Sequence, residues 1–347
     1  MQSSLRNTKR TLVNLGGILL VVAVLALLNE TGQIDRYAYG IIVQCCFTII
    51  LVASLNIATG FLGQIALGHA GFMAIGAYTS ALVTKAFQSA GILADAPVAL
   101  FFVGLACGAV MAALFGILVG IPALRLRGDY LAIITLGFGE IIRVVIQNLP
   151  FAGGRGLSQG QAGQALIGIM SMNNIYIIFG IMALCMAAMF RFVRSKYGRA
   201  LAAIREDDIA SSAVGLNNTF YRVAAFTIAA FFAGIGGAIF AHRGLGTLQP
   251  SDFSFLKSTE YIIMVVLGGM GSLTGSVIAA IVLSILPEML RAFAQYRMLV
   301  YAVVLVLMMI FRPAGLFGSY EFSLYHFPAR VRAYLAKRKQ KGKEADK

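Results

Sequence analysis

Three long stretches of the sequence contain no charged residue, and they restrict the fold more than any other feature. They are Tyr37–Thr84, Pro97–Leu124 and Tyr261–Pro287. Each is longer than the roughly 20 residues that a helix needs to cross the hydrocarbon core of a bilayer. The apolar runs are unbroken, whereas the strands of a transmembrane barrel alternate polar and apolar residues over about 10 positions. The sequence therefore predicts an all-α polytopic membrane protein.

Composition and hydropathy extend this prediction to the whole chain. Only 12% of the 347 residues are charged, about half the share that is usual in soluble domains. Hydropathy predicts about ten transmembrane helices, at residues 11–28, 38–57, 66–84, 97–120, 130–149, 174–191, 221–241, 258–271, 274–290 and 297–311.

These spans divide the chain into three predicted parts. Residues 1–37 hold a cytoplasmic amino end and a first span, which we expect to stay uncleaved because no small-residue cleavage site follows it. Residues 38–311 form the main transmembrane domain, which contains a cytoplasmic loop at 192–220. Residues 312–347 form a basic cytoplasmic tail.

The distribution of basic residues predicts the orientation in the membrane. If both ends are cytoplasmic, the cytoplasmic segments carry 20 lysines and arginines and the external segments carry 7. This asymmetry follows the positive-inside rule and predicts a multi-pass inner-membrane protein with cytoplasmic termini. The net charge of +14 is therefore assigned to contacts with membrane lipids. Because no nucleic-acid recognition motif accompanies it, we expect no nucleic-acid partner.

Two glycine-rich segments interrupt the apolar runs. They are Gly60–Gly71 and Gly268–Gly275, and each predicts a broken or partly re-entrant helix. Spans 2–5 and 7–10 are offset by five crossings, so two such halves would be inverted with respect to each other. Inverted repeats with glycine-broken segments are typical of transporters. The predicted pathway or gate residues are Gly60, Gln64, Gly68, His69, Glu140, Arg143, Gly153, Gly154, Gly268 and Gly269.

The charged and polar members of this set each allow two interpretations. Glu140 and Arg143 are three residues apart in the fifth span, so they share a helix face and can form an ion pair. The pair is either structural or part of the transport pathway, since charges inside a membrane are costly and often functional. His69 is either a helix-packing group or a proton carrier.

Two pairs of glycines lie on the fourth span at intervals of four residues. They are Gly104 with Gly108 and Gly116 with Gly120. Such spacing lets helix backbones approach closely. The contact is either internal packing or an interface with another subunit.

The segment Gly198–Gly215 is charged and helix-forming, and it lies in the predicted cytoplasmic loop. At 1.5 Å per residue its 16 inner residues would make one helix of about 24 Å. It is either a solvated loop helix or a helix on which a partner docks. The chain contains no Walker A motif and no nucleophile–base or metal-ligand constellation. We therefore expect a transport subunit with no cofactor, and ATP hydrolysis only in partner subunits.

Six segments together resemble the permease subunits of branched-chain amino acid ABC importers of the LivM-like type. The resemblance covers about residues 40 to 318. The matching segments are Gly60–Phe72 with Gly76–Tyr78, Leu124–Ala132 with Thr135–Glu140, Gly153–Leu157, Gly198–Glu206, Gly268–Gly271 and Arg312–Gly318. The chain departs from the family pattern at Ala66 and Ala152, where serine and threonine are frequent.

The resemblance implies a type II ABC importer-like permease fold with inverted repeat halves, and it implies transport of leucine, isoleucine and valine. It implies four kinds of neighbour: a second homologous permease subunit, two cytoplasmic ATP-binding subunits, an extracytoplasmic substrate-binding protein and membrane lipids. The residues implied in coupling to the ATP-binding subunits are Gly198, Arg199, Ala200, Ala203, Arg205, Glu206 and Gly215.

Two alternatives to this function stay open at the level of sequence. Related permeases for urea, short amides or other amino acids share much of the same pattern. An ion-coupled secondary transporter would instead use intramembrane carboxylates, for which Glu140, Glu260 and Glu288 are available.

Overall fold

The computed structural model describes residues 36–91, 96–124, 126, 128–149, 166–172, 174–244 and 246–290, and the isolated helical positions 302, 303, 306 and 310. The predicted first span and basic tail lie outside these residues, as do Gly153 and Gly154. The predicted last span is described only at the four isolated positions.

Ten α-helices account for most of the described residues. In chain order they are α1 Arg36–Asn56, α2 His69–Ser89, α3 Pro97–Ala123, α4 Asp129–Asn148, α5 Ile175–Val193, α6 Lys196–Glu206, α7 Asp208–Ala213, α8 Asn218–Ala241, α9 Phe255–Gly268 and α10 Leu273–Met289. A π-helical turn, Ile57–Phe61, extends α1, and a 3₁₀ turn, Pro250–Phe253, precedes α9. Two short antiparallel strands, β1 Leu166–Ile167 and β2 Thr247–Leu248, pair with each other.

Each predicted span from the second to the ninth coincides with a helix, which confirms a helical membrane protein. Among the residues that the structure describes, five helical segments are long and apolar enough to cross a membrane by length and composition. They are Tyr37–Phe61, Pro97–Ala123, Tyr130–Asn148, Ile175–Val193 and Asn218–Ala241. The helix α10 is apolar but shorter, and α9 has only 14 residues. The count of ten spans and the inverted repeat therefore stay predictions.

Glycines let α2, α3 and α8 pack with their backbones in contact. A methyl group at Gly76 would overlap the backbone of Gly234 on α8, and one at Gly108 would lie 2.6 Å from the carbonyl oxygen of Gly76. Gly116 faces Ala230 on α8 at the same close range. The predicted close packing of α3 is therefore internal, and it places three helices at the centre of the fold.

Both glycine-rich segments break their helices, as predicted. After the π-helical turn the backbone leaves the helix at Leu62 and re-enters one at His69. The second break separates α9 from α10, where Gly269 and Gly271 have φ values of 109° and 88°. Residues with side chains rarely adopt such values, so glycine is needed at both positions.

The predicted single helix between Gly198 and Gly215 is wrong, because two helices, α6 and α7, replace it. The break lies at Asp207, whose backbone is extended at φ −152° and ψ 113°. The Asp207 carboxylate accepts hydrogen bonds from the N–H groups of Ile209 and Ala210, at 2.8 and 2.9 Å. Aspartate favours this capping position over a helix interior, so it starts α7 instead of continuing α6. At the other end Gly215, with φ 87°, terminates α7.

Candidate functional site

The two helix breaks meet at the side chain of Asn56, the last residue of α1. Its amide nitrogen donates hydrogen bonds to the carbonyl oxygen of Ser272, at 2.9 Å, and to the Ser276 hydroxyl, at 2.6 Å. Its amide oxygen accepts from the N–H of Gly271 at 2.9 Å. Asn56 is completely buried, so these bonds satisfy an amide that would otherwise be costly to bury. One side chain thus joins segments more than 200 residues apart in the sequence.

Close backbone contact at Gly60 completes this junction. A methyl group at Gly60 would overlap the Asn56 amide oxygen and the backbone nitrogen of Gly271. Gly268 and Gly275 make a similar contact across the second break, because a methyl group at Gly268 would lie 2.6 Å from the carbonyl carbon of Gly275. We refer to Asn56, Gly60, Gly269, Gly271 and Ser272 as the break junction.

Arg205, in the last turn of α6, reaches the break junction from the helix pair α6 and α7. Its Nη1 atom donates a hydrogen bond to the carbonyl oxygen of Gly60. The same nitrogen lies 3.1 Å from the position that a methyl group would occupy at Gly271 in the second break. The aliphatic part of the side chain crosses Gly63, where a methyl group would lie 2.9 Å from Arg205 Cγ. One arginine therefore contacts both breaks.

A polar network fastens α7 to the first turns of α8. Arg222 forms an ion pair with the Asp208 carboxylate at 2.7 Å. The Asn218 amide donates to the same carboxylate at 2.6 Å and to the Ser211 hydroxyl at 2.9 Å. The side chains of Arg222 and Asp208 are largely buried, so this face of α7 is turned toward the protein.

Apolar residues of α6, of α7 and of the turn that follows α7 are exposed. Ile209 is 76% exposed and Val214 is 80% exposed. Ala203 is also exposed. Ile209 and Val214 are the two most exposed large apolar side chains among the described residues. In keeping with the predicted orientation, we refer to Ala203, Ile209 and Val214 as the exposed cytoplasmic face.

The predicted coupling residues divide between these two environments. Arg199, Glu206 and Gly215 are exposed like Ala203. Gly198 and Ala200 are buried, and a methyl group at Gly198 would overlap the backbone of Val193 at the end of α5. These two small residues therefore pack α6 against α5.

Glu140 and Arg143 form the predicted ion pair on α4. Arg143 Nε lies 2.7 Å from Glu140 Oε2, and each side chain is about a quarter exposed. The second carboxylate oxygen accepts from the backbone N–H of Phe255 at 2.8 Å. Glu140 thereby supplies an acceptor to the first residue of α9, where the helix leaves its own N–H groups unpaired. The pair connects α4 to the helix that ends at the break junction.

Two shallow crevices flank this ion pair. One is bordered by Glu140, Leu67 and Phe255. The other is bordered by Arg143, Tyr78 and Ile146, and neither has room for a water-sized sphere. Phe253 borders both. The ion pair thus lies between apolar walls.

The remaining predicted pathway residues lie beside the first break. The His69 ring nitrogen Nε2 lies 3.0 Å from the Ser54 hydroxyl in a buried pair. Gly68 packs against the backbone of Thr135 on α4. The side-chain oxygen of Gln64 is buried and accepts no hydrogen bond from any described residue.

The family model named "Branched-chain amino acid transport system / permease component" matches residues 37–311. That range contains both breaks, the helices α6 and α7 and the Glu140–Arg143 pair. The chain belongs to this permease family.

Several curated relatives are similar to this permease. The high-affinity branched-chain amino acid transport system permease protein LivM of Escherichia coli (strain K12) is 40% identical over 77% of this chain and 67% of its own length. LivH of the same strain is 26% identical over 76% of this chain and 88% of its own. The corresponding protein BraD of Pseudomonas aeruginosa is 24% identical over 83% of this chain and 96% of its own. No solved structure matches the permease.

Asn56 is the member of the permease site that sequence reasoning missed. The available signal was an amide side chain inside a charge-free span, because polar groups in spanning helices usually bond to another helix. Its partners could not be predicted, since they lie more than 200 residues later and are mostly backbone groups.

Proposed function

We propose that this permease is the membrane subunit of an ABC importer for leucine, isoleucine and valine, and that separate subunits hydrolyse ATP. Membership of the permease family and the names of the relatives support this proposal. The secondary-transporter alternative is less well supported. Of its candidate carboxylates, Glu140 is paired with Arg143 and Glu260 with Lys257.

The exposed cytoplasmic face is the single observation that carries the coupling part of the proposal. Its residues belong to α6, α7 and the turn after α7. The buried residues of α6 pack against α5, and Asp208 and Ser211 of α7 bond to the first turns of α8. Such a surface is suited to receive a mechanical input from an ATP-binding subunit. The proposed complex contains one copy of this permease, one copy of a second homologous permease and two ATP-binding subunits. An extracytoplasmic protein delivers the substrate.

The proposed orientation places the exposed cytoplasmic face inside the cell. Both termini are then cytoplasmic, as the excess of basic residues in these segments supports. The glycine loop that contains Gly153 and Gly154 lies on the outer side in this arrangement. We assign the substrate path to the neighbourhood of the Glu140–Arg143 pair and the first break, where charged and polar groups border apolar walls.

Transport by a reconstituted complex tests the function. We expect the purified permease alone to hydrolyse no ATP, because it contains no Walker A motif. The complex with its ATP-binding subunits and binding protein should import labelled leucine into proteoliposomes in an ATP-dependent manner. Urea and short amides serve as competing substrates. Uptake of one of these without uptake of leucine would contradict the proposed substrate class.

The substitution Ala203→Glu tests the docking surface. We expect it to lower leucine uptake and co-purification of the ATP-binding subunits by about tenfold or more, because a buried unpaired charge costs several kcal/mol. The permease should still insert normally, since Ala203 lies on an exposed helix outside the predicted spans.

The matched control is Thr219→Glu, which adds the same charge at another exposed position near the cytoplasmic helices. It lies in the first turn of α8, where a negative charge is favourable. We expect nearly unchanged uptake and co-purification. Normal values for Ala203→Glu as well would show that this surface does not bind the ATP-binding subunits.

A further inference from the structure

We infer that Arg205 is a positioning residue that transmits movement of α6 to both helix breaks. This role rests on the proposed function, in which the ATP-binding subunits act on the cytoplasmic helices. The resemblance implies that Arg205 takes part in coupling to an ATP-binding subunit, whereas this inference assigns it a contact within the permease itself. The reason is that the Arg205 guanidinium group donates a hydrogen bond to the carbonyl oxygen of Gly60 within the permease.

The contact with Gly60 occurs at the end of a helix. The helical backbone that begins at Arg36 stops after the π-helical turn Ile57–Phe61, and carbonyl groups in a last turn have no partner within the helix. The Arg205 guanidinium supplies one to Gly60. A cation at this position also interacts favourably with the helix dipole. The arginine therefore holds the end of α1 by a charge-assisted hydrogen bond, which is stronger than a neutral one.

The second break is within reach of the same group. Gly271 borders Arg205 Nη1, and its N–H is held by Asn56. A displacement of the guanidinium acts directly on Gly60 and, through the Asn56 amide, on the backbone of Gly271 and Ser272. Glycine is required along this path, because side chains at Gly60 or Gly63 would occupy the space of Asn56 or Arg205.

The helix that carries Arg205 is packed well enough to move as a unit. Leu201 and Ile204 are buried beneath α6, and Gly198 holds its first turn against the end of α5. The exposed Ala203 is only two residues from Arg205, so a force on the exposed cytoplasmic face is applied next to the junction. The breaks contain residues with positive φ at Gly63, Gly269 and Gly271. Short non-helical segments of this kind absorb the dihedral changes of a hinge.

The test measures leucine molecules transported per ATP hydrolysed in the reconstituted complex, for the unmodified permease, Arg205→Ala and Arg205→Lys. We expect Arg205→Ala to retain co-purification and ATP hydrolysis while this ratio falls by about tenfold, since a charge-assisted bond to the junction is lost. Arg205→Lys keeps the positive charge, so the ratio should fall less than in Arg205→Ala. It should still fall, because lysine lacks the planar guanidinium group with its second donor. If the Arg205→Ala variant does not fold, the Arg205→Lys variant, which we expect to insert normally, still allows the ratio to be measured.

Lys196→Ala is the control, because it removes an exposed cation at the other end of α6, where the ammonium group lies 5.4 Å from the ring centre of Tyr197. Its ratio should match that of the unmodified complex. Loss of ATP-binding subunits from the Arg205 variants would show a docking role and overturn the inference. An unchanged ratio, with only lower thermal stability, would show a purely structural helix cap and also overturn it. Absence of ATP-driven uptake by the unmodified complex would instead refute the proposed function, and this inference with it.

Discussion

Replacing Gly76 by leucine is expected to abolish the accumulation of folded permease in the membrane. Gly76 lies where α2 crosses α8, and any side chain there would overlap the backbone of Gly234. The carbonyl oxygen of Gly76 also lies against Gly108 on α3, so a shift of α2 disturbs two helix contacts. Overpacking usually costs about 1–3 kcal/mol where neighbouring side chains can move. Here the obstacle is backbone, and we expect the cost to exceed that range.

The measurement is the amount of monodisperse permease after extraction in mild detergent, compared with Gly180→Leu. Gly180 lies on α5, and a methyl group there would meet no atom within 4 Å. The control adds the same side chain and should be recovered in nearly normal amounts. Equal recovery of both variants would mean that α2 and α8 do not pack through Gly76 as described.

Asn56→Asp is expected to destabilise the permease more than Asn56→Ala, although aspartate is nearly isosteric with asparagine. In the alanine variant the N–H of Gly271 loses its partner, whereas the carbonyl oxygen of Ser272 still accepts a hydrogen bond from the N–H of Ser276 at 3.1 Å. An unsatisfied group of this kind costs about 1–3 kcal/mol. In the aspartate variant, a carboxylate oxygen would lie against the Ser272 carbonyl oxygen, which asparagine contacts at 2.9 Å as a donor. Repulsion and the burial of a charge then add to the loss.

Thermal unfolding in detergent measures this order of stability, and Asn217→Asp is the control. Asn217 caps α8 by accepting a hydrogen bond from the N–H of Phe220 at 3.1 Å. A carboxylate accepts equally well, and its charge is favourable at the start of a helix. The midpoint of this variant should stay close to that of the unmodified permease. If Asn56→Asp were as stable as the unmodified permease, Asn56 would not join the two breaks.

The two breaks show how far prediction from sequence extends. Their positions follow from local chemistry, because glycine in an apolar run predicts an interrupted helix, and both interruptions are present. Their contact with each other does not follow, since it depends on how α1, α9 and α10 pack. Arg205 illustrates the same limit. Its place within a cytoplasmic helix was predicted, but its position in the last turn follows only from the break at Asp207. The sequence also could not indicate whether its side chain would point toward a partner or toward the break junction.

The Glu140–Arg143 pair is an intermediate case. A separation of three residues places both side chains on one helix face, and the predicted ion pair is confirmed at 2.7 Å. The hydrogen bond from the N–H of Phe255 to Glu140 joins residues 115 positions apart. Only the packing of α9 against α4 brings it about, so the sequence could not indicate it.

Local hydropathy was enough to predict a helical membrane protein and the approximate limits of its predicted spans from the second to the ninth, and the resemblance of six short segments was enough to predict its permease family. The helices and their limits depend on the hydropathy of about 20 neighbouring residues, and the family resemblance depends on the residue pattern within short segments. Tertiary structure alone decided which helices share the centre of the fold, which face of α6 is exposed, and that Asn56 and Arg205 meet at one junction. These features depend on contacts between distant segments, where the direction of a single side chain is determined by all the helices that surround it.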